Sequence, residues 1–297
     1  MSEQSKILDT LAVIGVGLIG GSLAGGLKAS GAVGRTVGFG RNPENLAMAL
    51  DRGLVDLVTT DLAEAVSAAD LVLLATPVST LVKFFPEVVG YLKPGAILTD
   101  AGSVKGDVVE SARATLGSRF SQFVPAHPIA GRERSGAAAA DIDLFRNHWV
   151  VLTPVAETDP RALETVQRMW ESVGAKVRCM DAALHDRILG MTSHLPHAVA
   201  YALVAQLGAL DRIEDYSSMT AGGFLDITRV ASSDPVMWRD IFIHNAQITA
   251  DLIADHRAVL ERLEALVRSN DAGALEAWFE SAKKLRSELK SAKGRNL

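Results

Sequence analysis

Four stretches of this sequence carry side chains suited to moving protons and holding anions. His127-Pro128-Ile129-Ala130-Gly131 sets an imidazole at the end of an apolar run, ahead of a rigid turn. Histidine titrates near neutrality, so His127 suits the base needed by an alcohol that gives up hydride; a satisfied buried histidine is the other reading of that residue alone. Asp100-Ala101-Gly102-Ser103-Val104-Lys105 puts Ser103 ahead of a helical pattern. Its spacing makes it a helix cap, and its chemistry makes it a substrate contact. Further on, His194, His197 and Tyr201 lie three and four residues apart and share a helical face. Pro196, between the histidines, is expected to open the helix and free backbone groups. The spacing is not that of His-Glu-x-x-His, and no cysteine is near, which speaks against zinc. Arg229 ends the stretch Ala221-Gly222-Gly223-Phe224-Leu225-Asp226-Ile227-Thr228-Arg229. It either pairs with Asp226 or Asp234 or clamps a carboxylate. Trp238, in the capped helix start that follows, reads as core or interface.

An anion site stands near the N-terminus. The apolar run Leu11-Ala12-Val13-Ile14 ends in Gly15-Val16-Gly17-Leu18-Ile19-Gly20, and a helical pattern (Leu18, Leu23, Leu27) starts at once. Strand, glycine turn and helix together are the context of a dinucleotide-binding loop. Gly15 allows the tight turn, Gly17 the close approach of a pyrophosphate, and Gly20 the packing of helix on strand. The helix N-terminus, with Leu18 and Ile19, offers N–H groups to the anion. About twenty residues on, where an acid would bond the ribose 2′-hydroxyl of NAD, the sequence reads Phe39-Gly40-Arg41-Asn42. Gly40 lacks the carboxylate, Arg41 offers a guanidinium to a 2′-phosphate, and Asn42 adds a neutral hydrogen bond. NADP is favoured and NAD is the alternative, with Arg41 then a solvated loop residue. Thr76-Pro77-Val78-Ser79 is expected to line the nicotinamide side, Ser79 doubling as a possible helix cap.

Alternating strands and helices must position these groups. Strands are expected over 35–39, 57–59, 70–75 and 96–99, with helices over 43–50, up to 91, and over 105–116. The unbroken apolar run at 70–75 is the mark of a parallel strand covered on both faces. Segments 148–153, 160–173 and 176–179 are expected to close this part. The reading is an α/β chain: a doubly wound Rossmann-type sheet over residues 1–180, then an all-helical domain over 181–297. In the helical part Leu252, Ile253, His256, Val259, Leu260, Leu263 and Leu266 fall on one face. Leu275, Trp278, Phe279, Ala282 and Leu285 repeat it after a break at 270–273. A net charge of −5 argues against nucleic acid or an acidic membrane as partner. Cys179 is the only cysteine, so no intrachain disulfide forms. No signal-peptide pattern and no apolar run of membrane-span length are found, and a cytoplasmic location is expected.

The motifs also fall in a telling order. Gly-Leu-Ile-Gly-Gly-Ser starts at Gly17, Asp-x-Gly-Ser-Val-Lys at Asp100, and His-Pro-Ile-Ala-Gly-x-Glu-x-Ser-Gly at His127. Ser-His-Leu-Pro-His follows at Ser193, Gly-Gly-Phe-x-Asp-x-Thr-Arg at Gly222, and Asp-Pro-x-Met-Trp-Arg-Asp at Asp234. Over nearly the whole chain this resembles the prephenate/arogenate (cyclohexadienyl) dehydrogenases of tyrosine biosynthesis. The resemblance implies an oxidative decarboxylation in which the ring carbon bearing the hydroxyl gives hydride to a nicotinamide, carbon dioxide leaves, and the ring becomes aromatic. Prephenate would give 4-hydroxyphenylpyruvate, and arogenate would give tyrosine. It also implies that His127 bonds the ring hydroxyl and takes its proton, with Ser103 beside it. Arg229 would fix a substrate carboxylate, His197, His194 and Gly223 would line the substrate, and Glu133 would close the pocket. Trp238 would come from the partner subunit of a homodimer. Many relatives carry an acid where this chain has Gly40-Arg41. With no folded regulatory domain expected after the helices, feedback by tyrosine would act at the active site. Two further readings stand beside this one: a β-hydroxyacid dehydrogenase and a non-catalytic NADP-binding sensor. The first would carry a lysine and an asparagine on the first long helix of the second domain, the helix that here carries His194 and His197. The second would not need His127, Ser103 and Arg229 together.

Overall fold

Alternation along the strands builds the first part of the chain, seen in a computed structural model that describes residues 6–132 and 134–295. The order is β1 (Leu8–Ile14), α1 (Leu18–Ala29), β2 (Val33–Phe39), α2 (Pro43–Asp51), β3 (Leu57–Thr59), α3 (Leu62–Val66), β4 (Leu71–Leu74), α4 (Val78–Val88), β5 (Ile97–Asp100), α5 (Gly106–Leu116) and β6 (Phe123–Val124). All six strands are parallel, in the order β3-β2-β1-β4-β5-β6. That is the strand order of dinucleotide-binding folds, whose ligands sit beyond the carboxyl ends of the strands. Leu11 and Val13 of β1 and Leu71 and Leu73 of β4 enter one core, with α1 and α2. Their neighbours Ala12, Ile14, Val72 and Leu74 enter the other, with α3, α4 and α5. A strand covered on both faces has to be apolar at every position, which accounts for the unbroken run at 70–75.

The closing segments do not extend this sheet. Pro125 has no N–H to continue the ladder, and pairing of β5 with β6 stops at Thr99 and Val124. The next N–H, of Ala126, goes instead to the Asp100 side chain, at 3.0 Å. The chain turns into β7 (Ala126–Pro128), antiparallel to β8 (Trp149–Leu152), which pairs in parallel with β9 (Lys176–Cys179). α6 (Pro160–Ser172) joins the last two, and Trp170 from it is fully buried in the first core. His127 therefore sits in a separate three-stranded sheet, held against the end of β5 by a proline and an aspartate.

Helices follow: α7 (Ala182–Leu189), a π turn (Gly190–His194), α8 (Leu195–Gly208), α9 (Ile213–Ser217), α10 (Gly222–Thr228), a 3₁₀ turn (Arg229–Ser232), α11 (Pro235–His244), α12 (Ala246–Ser269) and α13 (Ala272–Arg295). Asp181 and Asp234 cap α7 and α11, and Asn270, with φ +52°, breaks the chain between α12 and α13. By compactness the chain divides after Ala246 into a large unit and the unit from Gln247. Strands end near residue 180, so loss of strands and loss of compactness fall at different places. The stretch Ala182–Gly208 is a continuous 27-residue helix, long and apolar enough to cross a membrane by length and composition. That corrects the expectation that no such run exists. Its buried groups include His185, Asp186 and His194, each hydrogen-bonded within the protein.

Candidate active site

The glycine turn makes a cradle for steric reasons. Gly15 has φ +98°, and a Cβ there would lie 2.7 Å from the Ala75 carbonyl oxygen. A Cβ on Gly20 would lie 2.3 Å from the Gly15 oxygen. Gly17 is different, because a Cβ would meet nothing within 4 Å; its missing side chain leaves open surface. Gly17 caps α1 without a side-chain hydrogen bond, so the N–H groups of Leu18, Ile19 and Gly20 are left to an outside acceptor. Thr76, whose Cγ2 borders the turn, has a buried hydroxyl with no hydrogen-bond partner among the described residues. An open Gly17, an uncapped helix and an orphaned hydroxyl at the end of β4 fit a dinucleotide. Pro77 follows and caps α4.

Two of the expected cofactor contacts are engaged elsewhere. Asn42 caps α2, its Oδ1 accepting from the Asn45 N–H at 3.1 Å. The Ser79 hydroxyl lies 2.8 Å from His244 Nε2 and also bonds Asp240, tying α4 to α11. Arg41 remains exposed beyond β2, next to Gly40.

Around His127 the groups are tightly connected. His127 is buried, and its Nδ1 lies 2.8 Å from Nε2 of the fully buried His185. His185 Nδ1 lies 2.8 Å from Asp186 Oδ1. The Asp186 carboxylate also accepts from the N–H of Lys105 at 2.8 Å and of Gly106 at 2.7 Å, capping α5 from another element. Ser103 is thus not the cap its spacing suggested: α5 starts after Lys105, and Ser103 stays half-buried in the loop before it. The ammonium of Lys105, fully buried, pairs with Asp100 and donates to the Ala126 carbonyl at 2.8 Å. One lysine therefore fastens the Ser103 loop to the strand of His127. Burial pushes the pKa of His127 well below the usual histidine value, and His185, Lys105 and His194 push the same way. The ring is held neutral, as a base must be. Burial also lowers the Lys105 pKa, against the pull of Asp100 and Asp186.

The helical histidines close on the same place. The π turn widens the helix just before Pro196, as the missing N–H requires. His197 Nδ1 donates to the Ser193 carbonyl at 2.8 Å, and its ring stacks on Trp238 with centroids 3.5 Å apart. Burial lowers the His197 pKa; the Ser193 bond opposes this and Arg229 adds to it, so the exposed guanidinium of Arg229 lies near that ring. His194 is buried, its Nδ1 3.1 Å from Asn245 Nδ2, and burial pushes its pKa down to about 4. Trp238 packs on Val104, Ile241 and Tyr201, and its buried indole N–H has no hydrogen-bond partner among the described residues. Val104 follows Ser103, so a single indole joins the Ser103 loop to His197. Within one chain, α11 already brings Trp238, expected from a partner subunit, onto His197. Gly223 is exposed in the first turn of α10 with open space where a Cβ would stand. Glu133 lies outside the described residues.

With this geometry in place, comparison with known proteins is decisive. Two protein-family models match, "Prephenate dehydrogenase, nucleotide-binding domain" over residues 23–179 and "Prephenate dehydrogenase, dimerization domain" over residues 181–281. The chain belongs to the prephenate dehydrogenase family. Cyclohexadienyl dehydrogenase of Zymomonas mobilis is 37% identical over 290 residues, 96% of this chain and 97% of the relative. The structure of prephenate dehydrogenase from Aquifex aeolicus with hydroxyphenyl propionate and NAD+ superposes with a TM-score of 0.90 at 38% identity, covering 96% of this chain and 100% of that one. Arogenate dehydrogenase from Synechocystis gives a TM-score of 0.80 at 29% identity, over 94% and 99% of the two chains. Neither the sensor nor the β-hydroxyacid dehydrogenase reading is supported by these relatives.

Within this prephenate dehydrogenase family member, the residues that sequence reasoning passed over are those that hold the others. His185 and Asp186 sit in the first turns of α7 with no periodic signal of their own. Lys105 and Asp100 stand in a motif that was read for its serine. Asn245 donates to His194 and, at 3.2 Å, to the Asp186 carbonyl. His244 bonds Ser79 and pairs with Asp107. The available signal was the density of polar residues around 185–186 and 244–245 in otherwise apolar helices.

Proposed function

We propose a division of roles for an NAD(P)-dependent oxidative decarboxylation of prephenate, arogenate or both, in tyrosine biosynthesis. A dinucleotide held by its pyrophosphate at the glycine turn would supply a nicotinamide as hydride acceptor. His127 takes the proton from the ring hydroxyl as that carbon loses hydride, and loss of carbon dioxide with aromatisation drives the reaction. Ser103 contacts the same end of the substrate, and Arg229, beside His197, holds a carboxylate. His194, Gly223 and Trp238 complete the wall, the indole N–H offering a donor to a substrate oxygen. The observation that carries this reading is His127 itself, a buried neutral imidazole fastened by Lys105 to the Ser103 loop.

Gly40 and Arg41 support NADP over NAD, since together they remove a repelling carboxylate and place a cation beside the ribose. Exposed apolar residues support a homodimer: Ile253, Leu260 and Val267 recur every seven residues along α12 and are 44%, 51% and 55% exposed. The end of the strands near residue 180 supports a functional division at 180/181, with residues 181–297 serving substrate binding and dimerisation. A cytoplasmic location suits a diffusible dinucleotide and a small polar acid. Replacing His127 with asparagine tests the base. Turnover is expected to fall by about 10²–10⁴-fold, with dinucleotide binding retained in a titration. Near-normal turnover would move the base elsewhere.

A further inference from the structure

We propose that His185 is a positioning residue, backed by Asp186, that selects the tautomer of His127 and shares the proton His127 receives. This rests on the role assigned to His127 above. The argument is a count of donors. A carboxylate only accepts. Asp186 takes the Gly106 N–H at Oδ2 and the Lys105 N–H at Oδ1, and His185 Nδ1 stands 2.8 Å from that same Oδ1. Two acceptors do not approach so closely, so His185 Nδ1 carries a hydrogen. Neutral His185 then turns its Nε2 lone pair to His127 Nδ1, 2.8 Å away, and His127 Nδ1 must donate. The unprotonated nitrogen of His127 is therefore Nε2, the only one left to face a substrate hydroxyl.

The same chain of bonds has a second consequence. When the substrate O–H bond breaks, an N–H bond forms at His127 Nε2 and the ring becomes positive. The other titratable groups acting on it, Lys105 and His194, both disfavour that charge. Towards His185 the charge is favoured: the Nδ1 proton can pass to His185 Nε2, and the imidazolium so formed already donates to Asp186. A His185 doubly protonated at rest would do the reverse. It would donate from Nε2 and force the hydrogen onto His127 Nε2, leaving no base.

Nitrogen-15 NMR of the full-length protein with labelled histidine reads these states directly. The sequence holds seven histidines, and the His127→Asn and His185→Gln spectra assign the signals of His127 and His185 among them. The expected wild-type signature at neutral pH is a protonated Nδ1 and a bare Nε2 on His127. Kinetics give a second readout. His185→Leu removes the acceptor and is expected to lower kcat about 10-fold to 100-fold while KM stays within about twofold. His185→Gln keeps an amide oxygen near the position of Nε2 and should recover most of that loss. A bare Nδ1 with a protonated Nε2 on wild-type His127 would overturn the proposal, as would wild-type kcat in His185→Leu. If the wild-type protein turned over neither acid, the assigned reaction would fall, and the spectrum would still decide the tautomer.

Discussion

At the scale of single residues, chemistry follows from which groups lose their water. His127 and His194 are both buried, and burial is the largest influence on each. This carries a stability consequence with a definite sign. Folded His194 stays neutral down to about pH 4, whereas the unfolded chain titrates near 6.5. Between those values the unfolded state binds more protons, so stability rises with pH. The contribution is complete above pH 6.5 and is lost as pH falls towards 4; His127 acts in the same direction. Thermal unfolding should therefore show Tm falling between about pH 7 and pH 5, and His194→Gln should flatten that slope. An unchanged slope in the variant would mean that the ring is hydrated in the folded protein. Arg41 makes the opposite case, an exposed residue whose meaning comes only from the missing acid beside it.

Elements turn these residues into a site, and the main device is polar. The Asp100–Lys105 pair, the Asp186 cap on α5 and the Asp100 bond to the Ala126 N–H fasten β5, β7, α5 and α7 around His127. Lys105→Met leaves Asp100 buried without its cation and is expected to cost about 3–5 kcal/mol in urea unfolding. A loss below about 1 kcal/mol would show that water reaches Asp100. The strands, the glycine turn and the helix starts were legible beforehand because alternation, glycine spacing and Pro or Asp caps act within a few residues. The second sheet was not, because it follows from one proline that ends a ladder and from pairing across more than twenty residues. Ser103 was misread as a cap because the capping carboxylate comes from Asp186, some eighty residues away. Trp238 was assigned to a partner on resemblance, and only the packing of α11 shows it stacked on His197.

For the whole molecule, family membership sets the reaction class, while cofactor choice and assembly rest on this chain's own residues. Leu260 lies mid-way along the exposed stripe of α12. A Leu260→Glu variant should shift sedimentation from dimer towards monomer; an unmoved dimer would place the interface on another face. The central claim is the reaction itself, and initial rates with prephenate or arogenate, each with NAD or NADP, test it most directly. At least one acid should reduce the cofactor with release of one carbon dioxide per turnover, faster with NADP than with NAD. Faster turnover with NAD would leave the reaction standing and contradict the role given to Arg41. Dinucleotide binding with no turnover of either acid would contradict the account.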